Sequence, residues 1–130
     1  MAEAGMQAAV LVVEDEPVQL MAMTAALRDA GFEVAEAKGV DAAIAHLTDR
    51  PQIVAMIADV DLAGEPLTGF TLAKAVAARW PEVAILVVSG LASPGDDQLP
   101  MGARFMPKPF SDEMLVNATR RIISARGIKV

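Results

Sequence analysis

The sequence predicts an α/β domain in which a parallel sheet of five strands is covered by helices on both faces. Five short apolar runs rich in branched residues alternate with longer segments of helical period, the pattern of repeated βα units. The length agrees, since 130 residues suit one core and leave little room for a second module. The composition agrees as well: 54% of the residues are hydrophobic, 25 of them alanine and only five aromatic, as closely packed helices require.

The strands are expected at residues 8–13, 32–36, 53–58, 83–88 and 103–106, the second and fifth at the sheet edges. After the first, Leu20, Met21, Thr24, Ala25 and Leu27 recur at helical spacing. Pro17 suits the first position of that helix, where a missing N–H costs nothing, and Asp15 and Glu16 complement the positive end of its dipole. Gly31 supplies its stop. A second helix fits residues 40–48 with Ile44 and Leu47 inward. A third fits 70–80 with Leu72, Ala73, Val76 and Trp80 on one face. Pro51 and Pro81 punctuate the entries to the next strands. The last helix is capped by Ser111, carries Asp112 and Glu113 in its first turn, and turns Leu115, Ala118, Ile122 and Ala125 to the sheet, with Arg120, Arg121 and Arg126 toward its end. The alternation asks for a further helix between the fourth and fifth strands. There Pro94, Gly95, Pro100 and Gly102 interrupt the pattern, so that helix is expected to be short or irregular.

Composition also narrows the function. With no cysteine and a single histidine, His46, thiolate chemistry and any two-histidine site are excluded. A net charge of −6 disfavours binding to a nucleic-acid backbone. The longest apolar runs, near six residues, fall far short of the roughly 20 that span a bilayer. Residues 1–7 read as a tail with Glu3 and no basic residue, unlike a secretory signal, so a cytoplasmic single domain over 1–130 is expected. His46, on the second helix, is expected at the surface or in a groove, away from any site.

In open parallel sheets sites form beyond the carboxyl ends of the strands. The first strand ends in Glu14 and Asp15, the third in Asp59 and Asp61 and the fourth in Ser89, while Lys108 follows the fifth. Acids gathered at an apolar mouth repel one another and are costly to desolvate unless a cation neutralises them, which points to a hard divalent metal such as Mg2+ or Mn2+. Metal, carboxylate, hydroxyl and ammonium are the parts that hold a transferring phosphoryl group. Asp59, directly after the central apolar run, is the candidate nucleophile, with Lys108 and Ser89 on the phosphoryl oxygens.

These residues stand in Val12-Val13-Glu14-Asp15-Glu16-Pro17, Ile57-Ala58-Asp59-Val60-Asp61-Leu62, Val87-Val88-Ser89-Gly90 and Phe105-Met106-Pro107-Lys108-Pro109-Phe110. In this order the chain resembles the receiver domain of two-component response regulators from about residue 8 to 126. The resemblance implies a flavodoxin-like, doubly wound sheet of order 2-1-3-4-5 with its crevice between the first and third strands. It implies that Asp59 takes phosphate from a phosphohistidine on a histidine kinase or histidine phosphotransferase. Mg2+ would be held by the side chains of Asp15 and Asp59, by the backbone carbonyl of Asp61 and, through water, by Glu14. It further implies a switch in which Ser89 moves to the phosphate and Phe105 turns inward, a cis bond between Lys108 and Pro109, and control of phosphate lifetime at Asp61 and Leu91. Leu91, being apolar, leads to an expectation of slow hydrolysis.

The loop after Asp61 is about two residues longer than usual for that family and places Glu65 within possible reach of the crevice. The segment after Ser89 is about three residues short, which puts the usual output face in doubt. A stand-alone receiver acting through an unknown downstream protein, in a phosphorelay or as a phosphorylation-controlled adaptor, is the expectation. Two alternatives stand beside it. Asp59-Val60-Asp61 also resembles the nucleophile and acid/base pair of the haloacid dehalogenase phosphatases, and a degenerate receiver would bind partners without phosphate.

Overall fold

Side chains leave a strand on alternate faces, so a strand covered on both sides must be apolar at nearly every position. The computed structural model, which describes residues 8–62, 68–90, 95 and 99–127, follows that rule. Strand β1 (Ala9–Val13) is buried at all five residues, while β3 (Ile53–Asp59) and β4 (Ala84–Ser89) are apolar up to one polar residue at their last position. Charged side chains are tolerated in β2 (Glu33–Ala37) and β5 (Arg104–Pro107) because these form the edges. All neighbours pair in parallel, in the expected order β2-β1-β3-β4-β5.

Alternation divides the core into two layers. Leu11, Val13, Met56, Ala58, Ile85 and Val87 face helices α2 (Val40–Asp49) and α3 (Thr68–Arg79), where they meet Ala43, Leu47, Leu72, Ala73 and Val76. Val10, Val12, Ile57, Leu86 and Val88 face α1 (Pro17–Asp29) and α4 (Asp112–Ala125), where they meet Leu20, Leu27, Leu115, Ile122 and Ile123. Because the chain leaves β1 toward β2 on one side and reaches β3 on the other, a crevice opens at the carboxyl ends of β1 and β3.

The helix ends obey local chemistry. Pro17 is the first residue of α1, and Glu16 caps it by accepting from the Gln19 N–H at 2.9 Å. Gly31, at φ +101°, ends it: its N–H reaches the Arg28 carbonyl while the Phe32 N–H reaches Leu27, the paired bonds of a Schellman motif. Ser111 caps α4 through the Met114 N–H.

Two expected helix faces need correction. In α1 the buried residues are Leu20, Met23, Thr24, Ala26 and Leu27, whereas Met21 is exposed and Ala25 points outward. The stretch Leu20 to Leu27 is so rich in apolar residues that spacing alone admits two stripes. In α4, Thr119 and Ile123 are buried and Ala125 is exposed. Thr119 is admitted because its hydroxyl donates to the Leu115 carbonyl at 2.8 Å. Trp80 lies one residue past α3, under the Arg79 guanidinium. The described residues contain no helix between β4 and β5. Residues 91–94 and 96–98, where a short or irregular one was expected, lie outside the described residues, as do Leu91 and Glu65.

Thr24 is 3% exposed and its hydroxyl has no hydrogen-bond partner. A buried hydroxyl without a partner is a net cost, so Thr24→Val, which keeps the shape, should raise stability by about 1 kcal/mol in urea unfolding. A loss of stability would show that the hydroxyl is satisfied.

Candidate functional site

Three strand ends deliver the polar residues. The Glu14 N–H donates to the Ala37 carbonyl at 3.0 Å, extending the β1–β2 ladder one residue and fixing Glu14 at the sheet edge with its side chain buried. Asp59 is the last residue of β3, still in register with Val88, and is 5% exposed. Lys108 follows β5 directly, and its N–H donates to the Ser89 carbonyl at 2.8 Å. The Lys108–Pro109 bond is cis, as expected.

These elements converge on a crevice of about 370 Å3 whose lining includes Glu14, Asp15, Asp59, Asp61, Gly90 and Lys108. Glu14, Asp15 and Asp59 each place a carboxylate oxygen within 4.8 Å of the others. The Lys108 ammonium lies 3.1 Å from Glu14 Oε1 and 3.5 Å from Asp59 Oδ1, and it donates to Gln19 Oε1. Asp61 lines the crevice without joining the three-carboxylate cluster. Ser89 is buried at the end of β4, and Gly90 rather than Ser89 lines the opening. Phe105 is half-buried on the α3 side, its ring centroid 6.5 Å from that of Phe70 with planes 28° apart. His46 is remote from the crevice, with its ring nitrogen on the Glu36 carbonyl at 2.9 Å.

One ammonium against the three clustered carboxylates, with Glu16 and Asp61 also in the lining, leaves the crevice short of positive charge. Burial raises the Glu14 carboxyl above its ordinary 4.5, and the neighbouring Asp59 charge raises it further; Lys108 and the Glu16 N–H, at 3.2 Å from Glu14 Oε2, offset this only in part. An all-oxygen, anionic donor set with a desolvated carboxylate fits a hard divalent cation such as Mg2+.

The sign of the pH effect follows. Folded Glu14 holds its proton to higher pH than unfolded Glu14, which titrates near 4.5. Below that value both states are protonated and no penalty exists; as pH rises through and above it, the folded state carries a buried anion and loses stability. In chelator, Glu14→Gln should therefore be more stable than the parent at neutral pH, with the difference vanishing in acid. Millimolar Mg2+ should reverse the order. Urea unfolding against pH checks this, and a Glu14→Gln gain that persists in acid would contradict it.

Two site residues escaped the sequence reading. Gln19 is a neutral amide on an exposed helix position and belongs to no motif. Gly69 carries no signal of its own, because the expected start of that helix at residue 70 leaves it in the loop, where glycine is ordinary. A Cβ on Gly69 would stand 2.3 Å from the Asp59 carbonyl oxygen and 2.6 Å from Val60 Cα.

The response regulator receiver domain model matches residues 10–120. Among curated proteins, the hydrogenase transcriptional regulatory protein HoxA of Cupriavidus necator is 32% identical over 127 residues, 95% of this chain and 26% of its own length. Among solved structures, the receiver domain of NtrX from Brucella abortus superposes with a TM-score of 0.76 at 28% identity, covering 88% of this chain and 98% of that one. A receiver domain protein from Clostridium thermocellum, at 23% identity and a TM-score of 0.81, shares the fold over 92% of this chain and 97% of its own. The chain spans about a quarter of the curated relatives it matches. Neither the expected stand-alone organisation nor the expected absence of a nucleic-acid partner has support from them.

Proposed function

The chain belongs to the response regulator receiver domain family, and on that footing we propose that Asp59 accepts a phosphoryl group from a phosphohistidine on a partner histidine kinase or histidine phosphotransferase. The observation that carries this reading is the ammonium of Lys108, 3.5 Å from Asp59 Oδ1, with Glu14 and Asp15 closing on the same point. An Asp59 carboxylate oxygen attacks phosphorus, the P–N bond of the donor breaks with its electron pair passing to the imidazole, and an acyl phosphate results. Lys108 offsets charge on the phosphoryl oxygens, and the Ser89 hydroxyl moves to donate to one of them. Asp15 and Asp59 by side chain, Asp61 by its backbone carbonyl and Glu14 through water would hold Mg2+. Bound there, the ion supplies further charge neutralisation for the transferring group.

The same parts would serve loss of the phosphate to water, so the chain acts on its own phosphorylation and dephosphorylation as a signalling phosphoacceptor. The haloacid dehalogenase alternative finds no support, because Glu14 and Asp15 reach Asp59 from β1 as in the receiver scheme. A degenerate receiver is opposed by the presence of every charged residue the reaction needs. Docking of a phosphodonor protein is supported by Val18 and Met21, 69% and 67% exposed on the helix whose first turn borders the crevice. No helix among the described residues is long and apolar enough to cross a membrane. A downstream protein would read the phosphorylated state, with Phe105 turning inward as part of the switch. Phosphoramidate, a small P–N donor, tests the reaction: with Mg2+ the protein should gain the mass of one phosphoryl group, and with chelator it should gain none. Labelling that ignores the chelator would count against the metal-dependent scheme.

A further inference from the structure

The hydrogen bonds around Lys108 close into a circuit. Lys108 Nζ donates to Glu14 Oε1 at 3.1 Å, Glu14 Oε2 accepts from the Glu16 N–H at 3.2 Å, Glu16 Oε1 accepts from the Gln19 N–H at 2.9 Å, and Gln19 Oε1 accepts from Lys108 Nζ. The circuit joins the ends of β1 and β5 to the cap and first turn of α1.

We propose that Gln19 is a positioning residue that holds the Lys108 ammonium over Asp59, an inference that rests on the role given to Lys108 above. Charge alone places a lysine poorly, because a point charge on a flexible four-carbon stem is attracted to several carboxylates from many directions. A directed amide oxygen fixes the remaining N–H. Gln19 is also the partner that can yield: it is neutral, so a phosphoryl oxygen can take its place on Nζ without leaving a buried charge unpaired. The geometry offers the lysine another place without it. Gln19 and Lys108 together line two cavities, the acidic crevice and an apolar groove of about 350 Å3 bounded by Met23, Phe110 and Leu115. Their bond is part of the wall between the two. Once it is broken, the aliphatic stem of Lys108 can lie in the apolar groove and carry the ammonium away from Asp59.

The test uses Gln19→Leu, which keeps helix propensity and removes the acceptor, and Gln19→Glu, which keeps the acceptor. In 1H–15N spectra of lysine ammonium groups, recorded on the metal-free, unphosphorylated protein, Lys108 should give an exchange-protected signal in the parent and in Gln19→Glu but not in Gln19→Leu. The backbone spectrum should change only around the first turn of α1, the crevice and the groove that Lys108 enters. With acetyl phosphate and Mg2+, Gln19→Leu should be phosphorylated about fivefold more slowly than the parent. A protected Lys108 signal in Gln19→Leu, its absence from the parent, or its loss in Gln19→Glu would each overturn the proposal. If the parent takes up no phosphate, the receiver reading fails by itself, and the ammonium signals still decide whether Gln19 holds Lys108.

Discussion

Lys108→Ala should slow phosphorylation of the protein by acetyl phosphate at least a hundredfold and destabilise the metal-free form by about 2 kcal/mol. The kinetic effect follows from what the ammonium faces. Removing one donor that meets developing negative charge in a water-poor site typically costs on the order of 10² to 10³ in rate, and Lys108 is the cation placed at Asp59 among the described residues. The stability effect has a separate origin. The Glu14 and Asp59 side chains are 1% and 7% exposed, so the variant leaves buried carboxylates facing one another without a counter-charge. Breaking a buried pair costs about 3–5 kcal/mol, and the 18% exposure of the Lys108 side chain lowers the figure expected here. Mg2+ should restore most of the lost stability and little of the lost rate, because the ion neutralises the acids but cannot take the lysine's place on the phosphoryl group. Urea unfolding with and without Mg2+, beside the rate of adduct formation, separates the two effects. A variant phosphorylated at the parent rate would remove Lys108 from the reaction.

Gly69→Ala should lower stability by about 3 kcal/mol, although the exchange is one that ordinarily strengthens a helix by about 1 kcal/mol. The added methyl would stand 2.3 Å from the Asp59 carbonyl oxygen and 2.6 Å from Val60 Cα, and both obstacles are backbone atoms of the segment leaving β3. Neither can turn aside as a side chain can, so α3 must lift from the sheet or the chain at Asp59 must shift. The Gly69 N–H already donates to the Val60 carbonyl at 3.0 Å, which ties the two segments at this point. Phosphorylation should fall with stability, since the shift moves the acceptor itself. Thermal unfolding followed by circular dichroism reads the sign directly, and an unchanged or raised midpoint would show that the close approach does not exist.

Both residues illustrate what a sequence discloses. Lys108 was legible because it follows the fifth strand at the edge where Glu14, Asp15 and Asp59 stand, and the strands themselves were legible because burial on both faces keeps β1, and β3 and β4 up to their last residue, apolar. Gly69 and Gln19 were not, since each acts through a contact between segments distant in sequence: Gly69 against Asp59, Gln19 against Lys108. The inward face of α1 was misread at Met21 and Ala25 because apolar residues occupy nearly every position there, and amphipathic spacing informs only where polar residues mark the other side. Thr119 was passed over in α4 because its hydroxyl is silenced by a bond to its own helix, which the residue type does not announce. Ser89 ends β4 buried, with its backbone carbonyl accepting from the Lys108 N–H, and its expected move to the phosphate belongs to the switch.

Incubation of the parent and of Asp59→Asn with acetyl phosphate and Mg2+, followed by intact mass, is the decisive measurement. The parent should gain one phosphoryl group, stable in acid and lost in base as an acyl phosphate is, and Asp59→Asn should gain none while remaining folded. A parent that takes up no phosphate, or an Asp59→Asn protein that takes up as much as the parent, would contradict the assignment of Asp59 as the acceptor.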